Sequence, residues 1–160
     1  MLKNKLAIIG GSGLYNIEGL SNVESLKIKT PWGEPSDELT KASFKSKEVI
    51  FLPRHGRGHF ISPTKINFRA NIDALKQLGV TDIVSISAVG SLKENLEPGM
   101  FVIVDQFIDR TFARNKTFFD EDIVAHVSMA KPTSEGLMNA CEESIKSENI
   151  QYKKGATYLV

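Results

Sequence analysis

Within residues 53–59 the chain reads Pro-Arg-His-Gly-Arg-Gly-His, which places two arginines and two histidines in seven residues. A guanidinium fork beside further donors suits a phosphate, because it offers paired N–H groups to two oxygens at once. Two histidines at this spacing also raise the question of a metal. The flanking arginines repel a cation and no third ligand lies close in sequence, so an anion site fits and a metal site is not expected. Two other loops carry related chemistry. Gly10-Gly11-Ser12-Gly13 follows an apolar run, and its small residues let backbone N–H groups and the Ser12 hydroxyl approach an oxyanion. Ser85-Ile86-Ser87-Ala88-Val89-Gly90-Ser91 again combines small residues and hydroxyls. The glycine run is not a dinucleotide fingerprint: Asn16 stands where a glycine is needed, and no Lys-Ser or Lys-Thr pair follows for a phosphate-binding P-loop.

The elements that must position these loops can be read from periodicity. Leu6-Ala7-Ile8-Ile9 stopped by glycines predicts a buried strand entering a tight loop, and residues 49–52 repeat the pattern before Pro53 ends it. Ser62-Pro63 offers a cap with proline at the first helical position. With Phe68, Ile72 and Leu75 spaced four and three apart before Gly79, it predicts a helix of about four turns. Residues 82–88 read as a strand, so strand, helix and strand follow at the spacing of a right-handed crossover onto a parallel neighbour. If the three strands are parallel neighbours, Ser12, Arg54 and Ser87 converge on one crevice, where open α/β sheets place their ligands.

Further along, Pro98-Gly99 marks a turn and residues 101–104 a strand. Residues 105–131 have weak periodicity, which suggests a long loop or edge excursion that is functional or packed against a partner. After Pro132, Thr133 or Ser134 caps a helix whose face carries Leu137 or Met138, Cys141 and Ile145. Residues 155–160 read as the start of one more strand, and the absence of a polar tail suggests a domain cut before its end. The alternation of strands and helices gives an α/β fold.

Composition narrows the function classes. The 160 residues are read as one domain, 41% hydrophobic and 24% charged, large enough to form a core without disulfides or a structural metal. A net charge of +1 argues against a nucleic-acid or anionic-membrane binder, whose affinity needs clustered basic charge. The single cysteine, Cys141, excludes an internal disulfide and any multi-cysteine metal site, and fits a reducing, cytoplasmic setting. No apolar run reaches the length of a membrane span.

The motifs taken together carry a resemblance. GGSGLY at 10–15, PRHGRGH at 53–59, NFRANIDALKQLG at 67–79, SAVGSL at 87–92, PGMFVIVDQFIDRT at 98–111 and HVSMAKP at 126–132 resemble the trimeric methylthioadenosine phosphorylase and purine nucleoside phosphorylase family. The VDQFIDRT and HVSMAKP stretches are similar to the methylthioadenosine branch. The resemblance covers essentially the whole chain in order. It implies a three-layer phosphorylase-type fold, with a mostly parallel or mixed central sheet flanked by helices. It also implies phosphate-dependent cleavage of S-methyl-5'-thioadenosine, or a related purine nucleoside, to the free purine and 5-methylthioribose 1-phosphate. Inorganic phosphate is then the co-substrate, no other cofactor or metal is needed, and the full-length protein is a homotrimer.

Residue by residue, the resemblance implies Ser12 as hydroxyl and amide donor to phosphate, Arg54 as the guanidinium clamp and His55 as a further donor. Ser87 with the Ala88 amide forms the opposite wall. Ala88, Val89 and Gly90 line the purine and ribose pocket, and His126 reaches the 5'-methylthio end of the substrate from a neighbouring subunit. The groups that stack on, select and protonate the purine are expected beyond Val160. No catalytic residue is therefore assigned within these residues, and the segment alone is expected to be inactive. The alternative is a non-catalytic anion-binding or assembly module that keeps the phosphate loops without a base pocket.

Overall fold

The run Val49-Ile50-Phe51-Leu52 is apolar at every position, so a strand built from it must be covered on both faces. It is the middle of a mixed sheet. The computed structural model describes residues 4–11 and 17–160, which form two units, Met1–Ala88 and Val89–Val160. The first unit runs through β1 (Leu6–Gly10), β2 (Leu20–Leu26), β3 (Leu39–Phe44), β4 (Lys47–Pro53), α1 (Phe68–Gln77) and β5 (Asp82–Ser85). Its sheet order is β2-β3-β4-β1-β5. β1 pairs in parallel with β4 on one side and β5 on the other, while β2, β3 and β4 form an antiparallel meander.

Alternation along β4 feeds both cores. Ile50 and Leu52 join Ala7, Leu39, Ala74 and Leu75 beneath α1, with Ile9 and Ile83 packed against them. Val49 and Phe51 point the other way and meet Ala42, Leu6, Ile8, Ile17 and Leu20. The chain does pass from β4 through α1 to a parallel strand, yet that strand is not the neighbour of β4. β1 lies between them, pairing in parallel with both.

The helix is shorter than its sequence suggests. Ser62 precedes only a 3-10 turn, Pro63–Lys65, and the buried Ile66 is extended and separates that turn from α1. Asn67 is the cap, its side-chain oxygen accepting from the Ala70 N–H at 3.1 Å. The buried face is Ala70, Asn71, Ala74 and Leu75, whereas Phe68 and Ile72 are each 38% exposed. Small side chains let the helix approach the sheet closely, and Asn71 is admitted because its polar atoms are paired. Its Oδ1 accepts from the Ser36 N–H at 2.8 Å and its Nδ2 donates to the Ser36 hydroxyl at 2.9 Å.

The second unit contains β6 (Phe101–Ile103), β7 (Gln106–Ile108), α2 (Glu135–Ser147), β8 (Tyr152–Lys154) and β9 (Thr157–Leu159). β6 pairs with β8 and β7 with β9, both in parallel. Ser134 is the cap of α2, accepting from the Leu137 N–H, while Thr133 turns to the Asp105 carbonyl. Leu137, Met138, Cys141 and Ile145 lie on its half-buried face, as the spacing predicts. The excursion expected over 105–131 yields the short β7 and then irregular chain from 109 to 133. Glu142 ties α2 to β8: Lys154 and Lys146 bridge to it, and the Tyr152 hydroxyl donates to it at 2.8 Å. Among the described residues, no helix is long and apolar enough to cross a membrane.

Two outcomes follow from these contacts. Truncating Asn71 to alanine strands the buried N–H and hydroxyl of Ser36, a loss of about 1–3 kcal/mol in stability measured by urea unfolding; a loss below ~0.5 kcal/mol, the ordinary range for a surface change, contradicts the pairing. Lys154 first, then Lys146 and Tyr152, lower the Glu142 carboxyl from 4.5 to about 2. A depressed carboxylate stabilises the fold above its unfolded value and loses that contribution as pH falls towards its folded value. The stability advantage of the native chain over E142Q should therefore shrink between pH 4.5 and about 2. Thermal midpoints across that window check it, and an advantage independent of pH would show that the charge is not what matters.

Candidate phosphate-binding site

Gly10 is level with Pro53 in the β1–β4 register, and Ile9 with Ser85 in the β1–β5 register. Three loops therefore leave neighbouring parallel strands at the same end. The Arg54 N–H donates to the Gly10 carbonyl at 3.2 Å, and the Ile86 N–H donates to the Ile9 carbonyl at 2.9 Å, which extends the pairing just past the strand ends. The Arg54 side chain crosses from β4 towards the β5 loop, where its Nη1 donates to the Ile86 carbonyl at 2.7 Å. Its Nε donates to His55 Nε2 at 3.1 Å. Among the described residues no carboxylate pairs with this guanidinium, so a half-buried positive charge sits at the convergence of the loops with donors to spare.

His55 lies beneath, 7% exposed, with Nδ1 at 2.8 Å from the Ile61 carbonyl. The loop folds back on itself through Gly56 N–H to Pro53 O, His59 N–H to Gly56 O and Ile61 N–H to His55 O, each at 3.0 Å. This tight path needs left-handed backbone at Gly56, Gly58 and His59, with φ of 72°, 90° and 59°. At Gly56 a Cβ would also lie 2.9 Å from the Phe60 ring.

Of the expected site residues, Arg54 and His55 meet directly, and Ser87 and Ala88 follow Ile86 as exposed residues at the β5 exit. Ser12 lies outside the described residues. Val89, Gly90 and His126 belong to the second unit and are exposed there, His126 in the irregular stretch after β7. Arg57 does not join Arg54. Its N–H donates to Asp37 and its Nη2 to the Thr40 hydroxyl at 3.0 Å and the Glu38 carbonyl at 3.3 Å, which clamps the loop to the start of β3. The anchors that sequence reasoning missed are the carbonyls of Gly10, Ile61 and Ile86, which carry no side-chain signal. Asp37 did carry one, as a carboxylate in an otherwise polar turn.

The model of the phosphorylase superfamily matches residues 5–160. The chain belongs to that superfamily. Among its relatives, the S-methyl-5'-thioadenosine phosphorylase of Cereibacter sphaeroides is 53% identical over 99% of this chain and 54% of its own length. That of Saccharolobus solfataricus is 51% identical over 98% of this chain and 58% of its own length. In solved structures, a methylthioadenosine phosphorylase from an antarctic soil metagenomic library superimposes with a TM-score of 0.94 at 47% identity, covering 99% of this chain and 56% of the other. The Schistosoma mansoni methylthioadenosine phosphorylase in complex with adenine gives a TM-score of 0.92 at 33% identity, over 99% of this chain and 65% of the other. This phosphorylase-superfamily chain thus spans about half the length of the curated relatives it matches.

Proposed function

We propose that this chain holds the phosphate in the phosphorolysis of S-methyl-5'-thioadenosine to adenine and 5-methylthioribose 1-phosphate. The observation that carries the reading is Arg54, a cation braced at the level ends of three parallel strands with no carboxylate among the described residues to neutralise it. In the reaction a phosphate oxygen bonds to the anomeric carbon while the carbon–nitrogen bond breaks, and the electron pair leaves with the purine, which takes up a proton. Positive charge develops on the sugar, so a dianion fixed beneath it stabilises the transition state by position and electrostatics. Inorganic phosphate is the co-substrate, and no metal is invoked.

Ser12, the Ser87 hydroxyl and the Ala88 amide complete the phosphate site in this reading, and Ala88, Val89 and Gly90 line the nucleoside pocket. Both units then belong to one phosphorylase domain, in a cytoplasmic enzyme. The names of the relatives at about half identity favour this reading over the non-catalytic module. Assembly as a homotrimer, with His126 reaching a neighbour's 5'-methylthio group, is supported by the stretch after β7. It is irregular and presents Phe112 at 96% exposure and Val124 and Val127 at 78%, side chains that a second copy would cover.

Phosphate titration of the native chain, R54A and R57A tests the site. R54A should bind phosphate about tenfold or more weakly through loss of a charge-assisted contact. R57A should lose clearly less affinity than R54A, because Arg57 is engaged at β3 and reaches the site only through the loop it anchors. In an active enzyme that contains this segment, R54A should lower kcat/KM for phosphorolysis of methylthioadenosine by about 10²–10³. Equal phosphate affinity in R54A and the native chain would overturn the assignment.

Light scattering of the active enzyme should give a trimer, and H126A should shift the preference from 5'-methylthio towards 5'-hydroxyl nucleosides. A fully active monomer, or an unchanged preference, would overturn the cross-subunit role.

A further inference from the structure

Arg54 can only donate hydrogen bonds and a backbone carbonyl can only accept them. The His55 ring sits between one of each, taking the Arg54 Nε–H at Nε2, 3.1 Å away, and facing the Ile61 carbonyl with Nδ1 at 2.8 Å. Only the neutral imidazole with its proton on Nδ1 satisfies both contacts. From this arrangement we infer that His55 is a positioning residue: its ring acts as a hydrogen-bond acceptor that aims the Arg54 guanidinium at phosphate, and does not itself donate to the phosphate. The inference rests on Arg54 being the phosphate clamp.

The geometry of the fork explains what this achieves. With Nε taken by His55 and one Nη1 hydrogen by the Ile86 carbonyl, the guanidinium plane is fixed at two edges. The side-on pair Nε/Nη2 is closed to a ligand, and Nη2 keeps its donors for an anion. His55 is itself confined. It is 7% exposed, its two nitrogens are occupied, and the His59 ring covers one face at a centroid distance of 4.4 Å. His59 keeps that place in a left-handed conformation, φ 59°, which a residue with a Cβ seldom adopts. Among the described residues, the groups that face the imidazole are thus the Arg54 cation at Nε2, the Ile61 carbonyl at Nδ1 and the His59 ring. A proton added at Nε2 would set N–H against N–H and cation against cation, and would release the fork.

Substitution at His55 with and without Arg54 separates an acceptor from a direct donor. H55Q retains a side-chain oxygen that can accept from Arg54, whereas H55L has no acceptor. In phosphate titrations H55Q should stay within about threefold of the native chain, while H55L should lose about tenfold. In the R54A background H55L should cost no further affinity, because its effect passes through Arg54. A further loss there, as a direct donor to phosphate would give, overturns the inference. So does a tenfold loss in H55Q. If H55L does not fold, the comparison of the native chain with H55Q still decides. Failure of the phosphate-site reading shows separately, as unchanged phosphate affinity in R54A.

Discussion

The level ends of β4, β1 and β5 are the constraint on which the site depends, because one arginine has to reach across all three. Its backbone N–H pairs with the end of β1, its side chain leaves the end of β4, and its Nη1 reaches the carbonyl that follows β5. Each of those partners is placed by parallel pairing to β1. That pairing is in turn secured by burial on both faces, with Ala7 beneath α1 and Leu6 and Ile8 on the opposite side. A slip of one residue in either register would turn these side chains to the wrong faces, so the hydrophobic pattern that builds the sheet also sets the height of the loops.

The electrostatics follow from this placement. A guanidinium carried out of bulk water keeps its charge and loses part of its hydration, so its hydrogen bonds must be found inside the fold. Two are, at His55 and Ile86, and the remaining donors face the loop exits without a carboxylate among the described residues. The neighbouring loop concentrates left-handed backbone at Gly56, Gly58 and His59. Such strain persists where surrounding contacts over-determine it, here the Arg57 clamp to Asp37, Glu38 and Thr40 and the turn bonds back to Pro53 and His55. The two arginines of one motif divide the work, one reaching across the strand ends to the Ile86 carbonyl and the other anchoring the loop that carries it.

The second unit is organised differently. Among its described residues Ile103 is the buried hydrophobic, and the Glu142 network of Lys154, Lys146 and Tyr152 fastens α2 to β8. Phe112, Val124 and Val127, after β7, remain exposed.

Much of this was legible in the sequence where the signal is local. Unbroken apolar runs marked β1 and β4, and periodic apolar residues after Thr133 and Ser134 marked α2, with the choice of Ser134 as its cap made by the structure. β2 escaped, because five of its seven residues are exposed and leave no apolar pattern to count. Ser62 and Asn67 are both acceptable caps. Asn67 caps α1 because burial holds Ile66 extended, and no residue near Ser62 announces that. At the site, residue types alone determined that the exit loops suit an anion, since arginine forks, hydroxyls and close-approaching glycines have that chemistry wherever they stand. Which arginine crosses to the exit of β5 and which ties back to β3, and that the His55 ring stands between the Arg54 guanidinium and the Ile61 carbonyl, depended on tertiary structure. The deciding partners, the Ile86 carbonyl for Arg54, Asp37 for Arg57 and the Ile61 carbonyl for His55, are brought in by sheet order and loop path. Two of the three are backbone groups that every residue possesses.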